Sequence, residues 1–186
     1  LLCLGAAIAG GWGRARSGPA ARRLAPVVAG VGLLQAPWVT AGLLHPAWGA
    51  TEPTAAFATR AETALGVVVD VLGLGGIWAG DLVPTSRTTP LALATTALLL
   101  GLAAAGLARS PGGSPVERGD DVRLAVLAGA GYLIALLPHL PGGGTALDQV
   151  GALPGGGLLR DGHRWLAWPA VALAVWGARG AARLGR

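Results

Sequence analysis

Long apolar segments separated by short polar ones dominate this chain. Four of the segments reach or approach the length of a membrane crossing, because about 20 residues at 1.5 Å each span about 30 Å of hydrocarbon. We predict transmembrane helices at 24–44, 91–108, 124–140 and 160–178. The pattern therefore predicts an all-α fold, a polytopic transmembrane helix bundle that forms a single domain over residues 1–186.

Two further apolar segments are too short to cross. Residues 1–12 are predicted to be a truncated N-terminal helix, and since the chain has no methionine, we expect it to be a fragment of a longer protein. Residues 66–79 are rich in glycine and contain Asp70, so we predict a re-entrant or interfacial segment there. Such backbone is tolerated at membrane depth only where protein or water shields it.

The arginines predict the orientation of the bundle. Ten of the 14 lie in three segments, 13–23, 109–123 and 179–186, and the positive-inside rule places those segments in the cytoplasm. The absence of lysine is typical of a GC-rich genome, and we expect a multi-pass protein of the bacterial plasma membrane. The same topology places all three histidines outside: His45, His139 and His163.

Composition excludes several classes of protein. With 53% apolar and 12% charged residues, against about 25% charged residues in typical globular chains, the sequence does not fit an ordinary soluble domain. The net charge of +5 is spread over separate loops and predicts no nucleic-acid partner. The histidines lack the local spacing of metal ligands, so we predict no metal site and no cofactor.

Asp70 is the first candidate site residue. An acid inside a short apolar segment is costly and is therefore a functional candidate, with Arg60 or Arg87 as its partner. An acid at membrane depth on the external side is also what a general base for sugar transfer requires. We therefore predict a catalytic role for Asp70.

The loop before the last predicted helix is the second candidate site. Leu-Pro-Gly-Gly-Gly occurs twice, from residues 140 and 153, and a charged cluster follows. Two guanidinium groups and an imidazole suit a phosphate or a lipid pyrophosphate, so we predict lipid-phosphate binding by Arg160, His163 and Arg164. The alternative is snorkelling of the arginines, with Asp161 capping the helix.

Two stretches, Gly75–Arg87 and Leu158–Ala167, look like segments of large multi-pass proteins of high-GC bacteria, which resemble GT-C type membrane glycosyltransferases. The resemblance implies a protein that acts on a polyprenyl-linked sugar at the extracytoplasmic face, within membrane lipids. GT-C enzymes are expected to carry a catalytic acid in an early external loop, and we expect this fragment to begin after that loop.

A second hypothesis belongs to another functional class. In a non-catalytic transporter or membrane assembly subunit, Asp70 and the glycine-rich segment 66–79 would line a path between helices. A matching pair of broken helices would favour that function, and the sequence shows one such segment. A purely structural role is the third hypothesis.

Overall fold

The computed structural model describes residues 26, 29–30, 32–37, 39–41, 44, 54–108, 115–153 and 156–185. Every regular element in these ranges is helical, and they contain no β-strand. The prediction of an all-α fold is therefore confirmed for the described residues. The predicted helix at 1–12 lies outside them, and the predicted crossing at 24–44 is described only in part, with its described residues helical.

Five α-helices and six 3-10 helices lie between residues 54 and 185 in the described ranges. The α-helices are α1 (Val67–Leu72), α2 (Pro90–Leu107), α3 (Pro115–Leu136), α4 (Gly143–Gly151) and α5 (Ala167–Leu184). The 3-10 helices are Thr54–Phe57, Gly80–Leu82, Thr85–Thr88, Leu137–His139, Gly156–Leu159 and Gly162–Leu166. Helices α2, α3 and α5 form the bundle, and the short elements gather at one of its ends.

Helix α2 begins at Pro90, where the sequence predicts a crossing from 91 to 108. Proline is favoured in the first turn of a helix because the N–H that it lacks has no intrahelical partner there. The amide of Ala108 closes the last turn by donating to the carbonyl of Ala104 at 2.9 Å. The bounds of α2 thus follow the apolar run.

Helix α3 begins at Pro115, whereas the apolar run of the sequence predicts a crossing from 124 to 140. Its first turns are charged and include an ion pair between Arg123 and Asp120 at 3.0 Å, three positions apart on the helix. Pairs at this spacing lie side by side on a helix surface and stabilise it. The helix therefore extends beyond the apolar run that marks the crossing.

Two helices in the described ranges are long and apolar enough to cross a membrane, at Pro90–Leu107 and Arg118–His139. They do not support the full set of four crossings that the sequence predicts. Only 17% of the residues in each apolar window are buried, and Leu98 and Val126 are 63% and 68% exposed. A core helix of a soluble protein would bury such side chains, so this exposure favours an apolar surrounding.

Helices α2 and α5 run parallel and make the closest contact of the bundle. A β-carbon on Gly106 would lie 1.8 Å from the carbonyl oxygen of Trp176, and one on Gly180 would lie 1.9 Å from that of Leu102. Two glycines therefore allow the two backbones to touch, as small residues do between membrane helices. Around them lies an apolar core of Ala103, Ala128, Ala172, Leu173 and Trp176.

Helix α3 runs antiparallel to α5 and joins it through polar contacts at one end of the bundle. The Asp121 carboxylate accepts from the Trp176 indole at 3.1 Å and from the Arg179 guanidinium at 2.5 Å. The Arg183 guanidinium donates to the carbonyls of Ala105, at 2.6 Å, and of Ala108 at the end of α2. We call this end, with Arg123, Asp121, Arg179 and Arg183, the arginine end.

The segment 66–79, which the sequence predicts as re-entrant or interfacial, forms α1 and then a stretch without regular helix. Its helix is held by the Tyr132 hydroxyl, which donates to the Leu72 carbonyl at 3.1 Å. Val71 is fully buried and packs with Ala135 of α3 and Leu166. The segment therefore lies against protein, at the opposite end of the bundle from the arginine end.

Candidate functional site

The polar cap is the part of the molecule beyond this opposite end of the bundle; it comprises residues 54–89, 137–153 and 156–166. All four residues that the sequence predicts as site residues lie here: Asp70, Arg160, His163 and Arg164. Within the described ranges, no hydrogen bond or ion pair joins Asp70 to the other three. The four predicted residues therefore lie at the same end of the bundle, but Asp70 does not bind the other three.

The carboxylate of Asp70 holds a turn of the backbone. Its Oδ2 accepts from the amides of Glu62, at 2.8 Å, and Thr63, at 2.9 Å, and the residue is 4% exposed. A charged acceptor strengthens such bonds, and a buried carboxylate needs them. Asp70 therefore stabilises the loop before α1, and its role as a general base stays a prediction.

Glu62 is a second buried carboxylate of the polar cap, and the sequence does not predict it. Its Oε1 accepts from the amides of Gly76, at 2.6 Å, and Ile77, at 3.0 Å. Its Oε2 lies 2.8 Å from the Arg87 Nε, and the Glu62 side chain is 4% exposed. Arg87, which the sequence offers as a partner of Asp70, thus pairs with Glu62.

Gly75 makes room for this ion pair. A β-carbon at that position would lie 1.8 Å from a terminal nitrogen of Arg87 and 2.7 Å from Glu62 Oε2. The Arg87 guanidinium also lies 3.4 Å from the carbonyl oxygen of Gly73. Gly75 therefore allows the Arg87 guanidinium to lie against the backbone, because it has no β-carbon.

Arg160 stacks on an aromatic ring. Its guanidinium carbon lies 3.9 Å from the centre of the Phe57 ring, close enough for a cation–π contact. Phe57 is itself held edge-to-face by Trp78, with 5.0 Å between ring centres. The aromatic pair fixes the Arg160 head group in the polar cap.

Arg164 combines one ion pair with a large exposed surface. Its Nε lies 2.7 Å from Asp161 Oδ2, and its side chain is 75% exposed, whereas that of Asp161 is 18% exposed. The ion pair uses one edge of the guanidinium and leaves the rest facing outward. His163 lies between the two residues and is half-buried.

A threonine and a histidine join the two halves of the polar cap. The buried Thr59 hydroxyl donates to the Ala135 carbonyl at 2.8 Å and lies 3.0 Å from His139 Nε2. Because the hydroxyl has one proton and gives it to the carbonyl, the imidazole Nε2–H is the donor in the second contact. No sequence pattern distinguishes Thr59, since its partners are 76 and 80 residues away.

The described ranges contain no group of three or more His, Cys, Asp or Glu side chains that could hold a metal ion. The chemistry that the polar cap offers is that of hydrogen bonds and charge, and its exposed charged groups include Arg60, Arg164, Asp81 and Asp148. Comparison of the chain with protein families, with curated proteins and with solved structures found no match.

Proposed function

We propose that this chain is part of a multi-pass protein of the bacterial plasma membrane that binds a polyprenyl-linked sugar at the extracytoplasmic face, in a GT-C-like glycosyltransferase. Arg160, His163 and Arg164 bind the lipid phosphate in this proposal. The observation that carries it is the position of Arg164, 75% exposed and held by Asp161 at the end of an apolar bundle.

The membrane part of the proposal includes four crossings. Helices α2 and α3 supply two, and their exposed apolar side chains support a lipid surrounding. The helical residues within 24–44 supply another, and α5, which packs against both α2 and α3, supplies the fourth. Hydrocarbon around these helices would solvate the exposed leucines and valines.

The arginines of the whole sequence support the proposed orientation. Those with described side chains are divided equally, with Arg118, Arg123, Arg179 and Arg183 at or near the arginine end and Arg60, Arg87, Arg160 and Arg164 in the polar cap. Ten of the 14 arginines of the sequence lie in 13–23, 109–123 and 179–186, and the last two of these segments adjoin the arginine end, so the positive-inside rule favours a cytoplasmic location for that end. The polar cap then lies outside, where a polyprenyl-linked donor would present its phosphate and sugar.

The geometry of the arginines supports phosphate binding. Arg160 is oriented by Phe57 and Arg164 by Asp161, so neither guanidinium has to be ordered entirely by the ligand. Preorientation of this kind lowers the entropic cost of binding. A fork of N–H groups matches phosphate oxygens in geometry and charge.

The hydrogen bonds of Asp70 favour a second candidate function, that of a non-catalytic membrane assembly subunit in which Asp70 is structural; they do not favour the transporter alternative, in which Asp70 would line a path between helices. Asp70 and Glu62 both accept from the backbone, which is the behaviour of structural carboxylates. An Asp70→Asn variant of the full-length protein separates the candidates. Loss of sugar transfer at unchanged thermal stability supports the enzyme, whereas loss of stability supports the structural role.

The phosphate role is tested by lipid binding to full-length protein in nanodiscs. We expect Arg164→Ala and Arg160→Ala to weaken binding of a polyprenyl monophosphate about 10- to 100-fold each, because each removes a charge-assisted contact of about 1.5–3 kcal/mol. The purified lipid is titrated into the nanodisc-embedded protein, and native mass spectrometry measures the bound fraction.

Arg123→Ala is the matched control. It also removes an arginine from an ion pair three positions apart, with Asp120, but at the arginine end. We expect it to leave polyprenyl monophosphate binding unchanged. If wild type, Arg160→Ala and Arg164→Ala bind polyprenyl monophosphate equally well, the phosphate role is wrong and the alternative, snorkelling of the two arginines at the interface, is supported.

A further inference from the structure

Three polar side-chain atoms in the described ranges are buried and have no hydrogen-bond partner there: Nε of Arg160, Oδ1 of Asp161 and Nε1 of Trp168. Arg160 and Asp161 lie shortly before α5, and Trp168 lies in its first turn. Buried polar groups in folded proteins nearly always have partners, so each exception requires an explanation. Three exceptions in one segment point to a shared ligand.

Two of these residues lie beside consecutive turns of α3. Gly162, which follows Asp161, would place a β-carbon 3.2 Å from the Ala135 Cα. Gly131 lies one turn earlier on α3, and its β-carbon would lie 3.2 Å from the Trp168 Cβ. Because Gly131 and Ala135 are four residues apart on a helix, Asp161 and Trp168 lie along the same face of α3.

Arg160 lies near the turn of α3 that contains Ala135, because the Phe57 ring on which it stacks lies there. Phe57, on which the guanidinium stacks, is two residues from Thr59, and the Thr59 hydroxyl binds the Ala135 carbonyl. The unpartnered Nε of Arg160 is thus held near the end of α3 where Gly162 packs.

The three atoms select a class of ligand group. Arg160 Nε–H and the Trp168 indole N–H are donors, whereas the Asp161 carboxylate oxygen is an acceptor. A phosphate offers acceptors only and is repelled by the carboxylate. A hydroxyl group both donates and accepts, and a sugar ring carries several hydroxyls side by side.

We propose that Arg160, Asp161 and Trp168 bind hydroxyl groups of the sugar in the lipid-linked ligand. The assignment rests on the proposed function, which supplies a ligand with a sugar next to its phosphate. Arg164 and His163 then bind the phosphate, and Arg160, between the two groups, contacts both. Asp161 has two tasks, since its Oδ2 orients Arg164 and its Oδ1 accepts from the sugar.

The test compares lipids with and without a sugar on full-length protein in nanodiscs. The probes are a polyprenyl monophosphate and the same lipid carrying glucose, mannose or arabinose. We expect at least one glycolipid to bind about tenfold tighter than the sugar-free lipid. Trp168→Phe, which removes the N–H and keeps a ring, should reduce that preference about three- to tenfold and leave sugar-free binding unchanged.

Trp165→Phe is the matched control, because Trp165 packs edge-to-face on Trp168, with 4.8 Å between ring centres. We expect it to keep the preference for the glycolipid. Asp161→Asn is the second variant, and sugar-free binding measured in parallel reports any change that it causes at Arg164.

Equal affinity for the sugar-free lipid and every glycolipid would overturn the sugar assignment, as would a preference that survives both Trp168→Phe and Asp161→Asn. In either case, weaker binding of sugar-free lipid to Arg164→Ala would still support the proposed function. Failure of every lipid to bind wild type would overturn the proposed function and the sugar assignment together.

Discussion

Asp70 and Glu62 show how similar carboxylates differ in what their sequence context reveals. Asp70 stands alone in an apolar segment, so its burial and importance are predictable from the cost of placing an acid there. Glu62 lies in a polar stretch, like Glu52, and its partners Gly76 and Ile77 are 14 and 15 residues away. Its role depends on the fold of the polar cap and has no local signal.

We expect Glu62→Gln to lower the free energy of unfolding by about 2 kcal/mol, since it weakens the charged contact with Arg87 and the two backbone bonds. Thermal unfolding followed by tryptophan fluorescence in detergent measures the effect. Asp81→Asn is the control, because Asp81 is an exposed acid of the same cap. Similar melting temperatures for the two variants would contradict a structural role for Glu62.

At the scale of elements, the sequence predicts the helices better than it predicts their contacts. Apolar length alone indicates α2, and its observed start and end lie within one residue of the predicted bounds. The contacts depend on which of the 32 glycines face a neighbour. Gly76 and Gly80 have the spacing typical of close helix packing, yet a β-carbon on Gly80 would meet nothing within 4 Å.

The contact between α2 and α5 predicts opposite effects for two glycines of α2. Gly106→Ala should destabilise the bundle by at least about 1–3 kcal/mol, because the new methyl group would collide with the backbone of α5. Gly101→Ala, where a β-carbon meets nothing within 4 Å, should be neutral or stabilise the helix by up to about 1 kcal/mol. Thermal unfolding of the two variants side by side measures this difference.

Equal melting temperatures for Gly106→Ala and Gly101→Ala would show that α2 and α5 are not held at backbone contact. Reversal of the order would do the same. The pair is informative because the substitution and the helix are the same, so helix propensity cancels in the comparison.

For the whole molecule, the distribution of the 14 arginines along the sequence predicts a topology that labelling can test. In a Cys3→Ser background, Thr145→Cys in α4 should react with an impermeant thiol reagent in intact cells, since the proposed orientation places the polar cap outside the cell. Ser114→Cys, in the segment that precedes the charged turns of α3, should react only after the cells are lysed. Labelling of Ser114→Cys in intact cells would contradict the orientation.

The end of α2 has a consequence for the thickness of the bilayer that suits this protein. Its 18 residues span about 27 Å, slightly less than the average hydrocarbon layer. Arg183 already binds the carbonyls of Ala105 and Ala108, so the terminus of the helix depends less on interfacial water for its hydrogen bonds. The length of α2 matches the hydrocarbon thickness of a thin membrane. In a thicker membrane the C-terminal turn of α2 would lie in hydrocarbon, and the carbonyls of Ala105 and Ala108 would keep their hydrogen bonds to Arg183.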